Sequence, residues 1–310
     1  MHGSCSASTV RGANAMIPGD GHHAAHQRGR ARRAALPATR PGSASWQLLA
    51  SLCLIPGALA AQEPQGLARA ALDNPAFTWV RQDSPHLRVY FLAHSYPAAH
   101  QDSLVRLAEA ARTHGLELLG VARFDAAVDV FFVETRVQMD SLVGFPVTGF
   151  AHRDARAVFL VTNPEWRAFE RHELMHVLAH HAWGPAAEAW IEEGLAQFAD
   201  GRCGGYALDA VVVALAGRGG YVPMDTLVAR FRRLNDLAAY VQAASMAGYL
   251  YQHHGRDAAR AVWQRGAGTL GQLTGEAPAA FAESWWRWVR ARAQPVPQND
   301  VAVIRRKGCG

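Results

Sequence analysis

The chain has 310 residues, half of them apolar, enough to build one large domain or two modest ones around a real core. Its 31 basic and 26 acidic side chains leave a net charge of +5, but six arginines (Arg11, Arg28, Arg30, Arg32, Arg33, Arg40) and a single acid, Asp20, fall in the first 61 residues. The remainder is electrically neutral, so the basic balance belongs to the N-terminus and gives no ground for a nucleic-acid partner.

Residues 1–61 read as a leader. An arginine-rich stretch, RGRARRAALPATR, precedes the apolar run Trp46–Ala61, which Pro56 interrupts and which is short for a bilayer span. It closes on Ala58-Leu59-Ala60, a small-x-small pattern suited to signal peptidase, with cleavage expected near Ala60 or Ala61. The arginine-rich part is long for such a segment, which leaves Met16 open as the translation start. The expected location is therefore periplasmic or extracellular, with no membrane contact after cleavage; the alternative is an uncleaved N-terminal anchor. Two cysteines remain beyond the leader, Cys203 and Cys309. Export would place them where disulfides persist, so a bridge or two free thiols both stand.

Residues 62–310 read as one unit with two lobes, 62–165 mixed α/β and 166–310 mainly helical: an α+β fold. Leu87–Ala93 is a strand bounded by prolines. Ala98–Leu119 carries a helical stripe. Ala126–Thr135 is apolar on both faces, hence a central strand. Val147–Pro164 is a hairpin turning at Arg153-Asp154, with a strong strand at Ala157–Thr162. That strand or its hairpin partner is a candidate edge for receiving an extended peptide. Further along, Trp285 and Trp288 share a helical face and suit core packing. His180-His181 and His253-His254 suit solvated helix ends, and Arg230, Arg232 and Arg233 an ordinary charged face.

The segment RHELMHVLAHHAWGPAAEAWIEEGLA, Arg171 to Ala196, carries the chemistry. His172 and His176 lie one turn apart, about 6 Å along a helix axis, on one face. Two such imidazoles can reach one zinc ion, and Glu173 beside them can act as a general base on water. A third ligand is needed. His180 is about 12 Å from His172 along the helix and cannot join it. If the helix runs to Trp183, stops at Gly184-Pro185 and a second begins at Ala186, two equal legs of about 10 Å bring Glu193 level with His176. Glu192 and Glu188 point elsewhere or fall short. Gly194 and Ala196 keep that helix flank small enough for close packing.

These segments resemble the gluzincin metallopeptidases, in particular the bacterial exported peptidase MA-like proteins: HELMH, followed one helix later by Trp190, Glu193, Gly194 and Ala196 in a Trp-x-x-Glu-Gly-x-Ala pattern. The hairpin before the motif and Ala238–Gly255 after it are similar too. The resemblance implies a zincin-like fold and one zinc per chain on His172, His176 and Glu193. It also implies a peptide or protein substrate, hydrolysed by a zinc-activated water with Glu173 as general base. Tyr240 is the candidate oxyanion donor, with His152 and Tyr249 as rivals and plain packing as the alternative. Gln197 stands one turn after Glu193, where a carboxylate could support a histidine ligand; Asp200 is a possible substitute. The runner-up is a non-catalytic binding module on a gluzincin scaffold.

Overall fold

The computed structural model describes residues 63–166, 170–234 and 236–309. The expected leader, residues 1–61, lies outside them. Helix α1 (Gly66–Asp73) and strand β1 (Trp79–Asp83) come first, then β2 (Leu87–Leu92), a short α2 (Tyr96–Ala99), the long α3 (Gln101–Leu119) and β3 (Val128–Val133). Helix α4 (Arg136–Val143) starts on a capping box, Thr135 with Gln138, that satisfies its first backbone N–H groups. The hairpin β4 (Gly149–His152) and β5 (Ala157–Val161) follows.

The five strands form one mixed sheet in the order β1-β2-β3-β5-β4. Strands β2, β3 and β5 run parallel to one another; β1 and β4 pair antiparallel at the two edges. The peptide-edge candidate is thus narrowed: β5 is paired on both sides, and its hairpin partner β4 is the edge. Strand β3 is buried at every position because both faces of the sheet are covered. Val128, Val130 and Phe132 join a core with α3 and with Leu174, Met175 and Leu178, which lie beyond the hairpin in the helix Glu170–Trp183. Phe131 and Val133 face the other way, with Ala68, Ala71, Met139 and Leu142 of α1 and α4. The one charge in β3, Asp129, is fully buried and is gripped at 2.6 and 2.8 Å by Nε and Nη2 of Arg88 on the adjacent strand. Burial pushes the Asp129 carboxyl up, and the Arg88 hydrogen bonds work against that rise.

The rest is helical. Helix α5 (Glu170–Trp183) carries the histidine motif and α6 (Ala189–Asp200) carries Glu193. A two-stranded ribbon, β6 (Arg202–Cys203) and β7 (Tyr206–Ala207), leads into α7 (Leu208–Leu215), α8 (Met224–Leu234) and α9 (Leu237–Arg265), which breaks at Gly255. Helices α10 (Leu270–Thr274), α11 (Pro278–Arg292) and α12 (Gln298–Lys307) close the chain. Trp285 is fully buried, its Nε1 donating to Ser245 at 2.9 Å, and Trp288 packs on the same core. His253 is exposed and His254 half-buried, and both also touch aromatic rings, His253 those of Tyr249 and Trp288 and His254 that of Phe281.

The second helix of the motif differs from expectation. It begins at Ala189, not Ala186, so the legs are unequal and residues 184–188 form an extended turn. That turn is pinned by α9. Trp263 Nε1 donates to Gly184 O at 2.8 Å, Gln264 Nε2 to Trp183 O at 2.8 Å, and Ala187 N to Trp263 O at 2.7 Å. These bonds satisfy carbonyls at the end of α5 and an N–H of the turn that no helix hydrogen bond would otherwise take up. Gly184, at φ 86°, supplies the left-handed residue that ends α5.

Cys203 and Cys309 are joined, fastening the tail after α12 to the β6–β7 ribbon across 106 residues. Cross-linking so long a loop limits the unfolded chain. Cys309→Ser is expected to lower unfolding free energy by about 2–5 kcal/mol in urea denaturation, and an unchanged midpoint would show that the tail contributes nothing to stability.

Candidate metal centre

His172 and His176 project from one face of α5 as their spacing requires. Glu193, one turn into α6, meets them. His172 Nε2 lies 3.2 Å from His176 Nε2, and Glu193 Oε2 lies 3.4 and 3.5 Å from those two nitrogens. A tetrahedral ion with ligands at about 2.0–2.1 Å spaces its ligand atoms about 3.3–3.4 Å apart, so the three atoms already stand at the edges such an ion needs. All three side chains are largely buried, and among the described residues theirs is the grouping able to hold a metal ion. Two imidazole nitrogens and a carboxylate oxygen aimed at one point also suit zinc by ligand type. His180, two turns on, is not part of it: its Nε2 lies 3.4 Å from Asp154 Oδ1. His181 Nε2 lies 2.9 Å from Arg153 O, so this pair ties the end of α5 to the β4–β5 turn and is not simply solvated.

The electrostatics follow from crowding these groups together. Burial works to lower the His172 pKa, but the hydrogen bond with Glu193 and the charges of Glu173, Glu193 and Asp200 raise it to about 9. Burial alone would push Glu193 up; the positive charge and hydrogen bonds of the two histidines hold it well below the usual carboxylate range. Glu173 has no such direct bond. Burial raises it, and His172 and His176 oppose that rise. Asp200 thus reaches His172 through its field, while His172 Nδ1 makes no hydrogen bond. Gln197 turns aside to Arg202 O at 3.2 Å.

Two glycines decide how closely the parts approach. A Cβ at position 194 would lie 2.7 Å from the carbonyl oxygen of Ala243, so only glycine lets α6 pack this tightly on α9. The small flank expected around Gly194 has this use. Gly149 was not singled out by sequence reasoning. A Cβ there would lie 2.9 Å from both Cγ and Cδ of Glu173 and strike its Oε1. The edge strand β4 therefore offers a notch in which the Glu173 carboxylate sits. Nothing in a lone glycine at a strand start announces a partner twenty-four residues away.

Tyr240, early in α9, packs against Phe231 with ring centroids 4.9 Å apart. Burial, then the negative charges of Glu193 and Glu173, push its hydroxyl up to about 12, while Arg232 opposes them. Tyr240 is thus within the field of the metal-binding group. Tyr249 is not brought there; it is buried among Phe281, Trp288 and His253. His152 ends β4 and its Nδ1 accepts from Ala155 N at 3.2 Å, closing the hairpin turn.

Glu192 is the second residue that spacing passed over. It is not part of the three-residue group, yet it is buried, and its Oε1 stands 4.0 Å from His176 Nδ1. Two arginines neutralise it: Arg153 Nη1 from the hairpin turn on Oε1, and Arg232 Nη2 from α8 at 3.2 Å on Oε2. Arg232 is therefore no ordinary surface charge. No family model matches the chain, and no curated protein matches it.

Gly149→Ala is expected to cost about 1–3 kcal/mol by overpacking against Glu173, measured by urea unfolding. Added zinc should raise the melting temperature of the native protein and leave that of Glu193→Ala unmoved, because only a ligand bound by the folded state stabilises it.

Proposed function

We propose that the protein is an exported zinc-dependent peptidase of gluzincin type with a zincin-like fold, hydrolysing peptide bonds with His172, His176 and Glu193 as metal ligands. The single observation that carries this reading is the 3.2, 3.4 and 3.5 Å triangle of ligand atoms, with the buried Glu173 carboxylate beside it. The Trp190-to-Ala196 pattern and its HELMH partner support it at the level of sequence. The Cys203–Cys309 bond suits an oxidising compartment, and no helix among the described residues is long and apolar enough to cross a membrane.

A bound zinc ion lowers the pKa of water toward about 7 and polarises a carbonyl. The residues of this chain do the rest. Glu173, acceptor-only when ionised, takes the proton of the attacking water and hands it to the leaving amine. Its raised pKa brings it closer to that double task than an exposed glutamate. Tyr240 stays protonated at neutral pH because burial and two carboxylates hold its proton, so it can donate a hydrogen bond to a developing oxyanion. Strand β4, whose Gly149 lies against Glu173, is the sheet's edge among the described residues, and an extended peptide can lie along it.

Glu173→Gln is expected to keep about one zinc per chain and lose hydrolysis of a peptide library by at least ~100-fold. Glu193→Ala should lose the zinc itself. A Glu173→Gln protein as active as the native one would remove the proposed base, and library digestion indistinguishable from buffer by zinc-loaded native protein would favour a binding module on the same scaffold.

A further inference from the structure

The Arg153–Glu192–Arg232 cluster has more positive charge than its own carboxylate needs. One buried glutamate faces two guanidinium groups, leaving one positive charge uncompensated within the cluster. The two arginines come from different parts of the fold: Arg153 from the β4–β5 turn, Arg232 from α8. Both converge on Glu192, the residue next to Glu193. Their side chains are 40% and 64% exposed, whereas that of Glu192 is only 6% exposed. An arginine has five N–H donors in a rigid fork, and the bonds to Glu192 engage Nη1 of Arg153 and Nη2 of Arg232. Donors therefore remain on both forks, and a large part of each reaches solvent.

The position is also informative. Glu192 Oε1, the oxygen that Arg153 holds, lies 4.0 Å from a ring nitrogen of His176. Arg232 is near enough to Tyr240 to oppose the pull of Glu193 and Glu173 on its proton. So the excess charge stands at the border of the metal centre, with one arginine beside the edge strand and one beside the tyrosine.

We propose that Arg153 and Arg232 form a carboxylate-binding subsite of the metal centre, held in place by Glu192, which selects peptides presenting an anion there. The proposal rests on the peptidase reading. The ligand chemistry is a peptide carboxylate, from a free C-terminus or an acidic side chain. Glu192, buried and neutralised by two cations, does not compete for a substrate ammonium group. It fixes the two forks so that their remaining N–H groups lie ready for a planar anion, at little further cost in side-chain freedom.

The test uses the zinc-loaded Glu173→Gln protein and calorimetric titration with three peptides: acetyl-Ala-Ala-Ala as the free acid, the same peptide as its amide, and acetyl-Ala-Glu-Ala amide. The free acid, the acidic amide or both are expected to bind about tenfold more tightly than the neutral amide, the scale of one charge-assisted hydrogen bond. Which of the two gains identifies the source of the carboxylate. Adding Arg232→Gln or Arg153→Gln should cut that preference to about threefold or less with zinc content unchanged, and Arg232→Lys should restore part of it. Equal binding of all three peptides, or a preference that survives both glutamine substitutions, overturns the subsite and leaves the peptidase reading intact. Failure of the zinc-loaded protein to bind any peptide overturns both.

Discussion

The structure turns on the extended turn between Trp183 and Ala189. The two histidines belong to α5 and the carboxylate to α6, and nothing within either helix brings them together. Trp263 and Gln264, both in the last part of α9, take up the polar groups of that turn, and Gly194 lets α6 settle onto the first part of α9. Helix α9 is therefore the template on which the two ligand-bearing helices are placed. Its break at Gly255 separates the part that seats α6 from the part that pins the turn. Misplacing either part by an ångström would open a triangle whose edges are all near 3.4 Å.

The sheet has a second role in the same centre. Its interior strands are almost wholly buried, with the one buried carboxylate matched by a two-point arginine contact. At the edge, β4 borders α5. At this border the backbone of Gly149 shapes the space for Glu173, and the hairpin turn sends out Arg153 to Glu192 and meets His180 and His181. Glu173, Arg153 and the end of the motif helix are thus all referenced to one hairpin. Charge follows the same logic: the negative groups crowded around the histidines are balanced by imidazoles on one side and by guanidinium groups on the other, so few stand alone in a low-dielectric site.

What was legible in the sequence was local. The i, i+4 spacing of His172 and His176 holds in any α-helix, so their shared face needed no tertiary information. The double-sided apolar run read at Ala126–Thr135 marked a central strand, which spans Val128–Val133, because only burial on both faces makes such a run soluble. Helix α5 ended at Trp183 because Gly184 and Pro185 cannot continue it. Glu193 was reachable by counting helix turns, and it reached the histidines even though the count assumed a helix start three residues early; the pinned turn supplied the difference.

Only the tertiary structure decided the rest, because it depended on contacts between residues distant in sequence. Gly149 looks like any other glycine until a carboxylate is found against it. Glu192 and Arg232 look like surface charges until burial and a shared partner join them to Arg153. The pairing of Cys203 with Cys309 needed the tail to fold back on the ribbon, and the exclusion of Tyr249 needed the aromatic cluster around it. The sequence by itself determined which side chains could serve a metal and on which helices they ride, since helical periodicity is a property of the backbone. Which of them meet, how closely, and what neutral or charged company they keep were decided by packing, which depends on every layer of the fold at once.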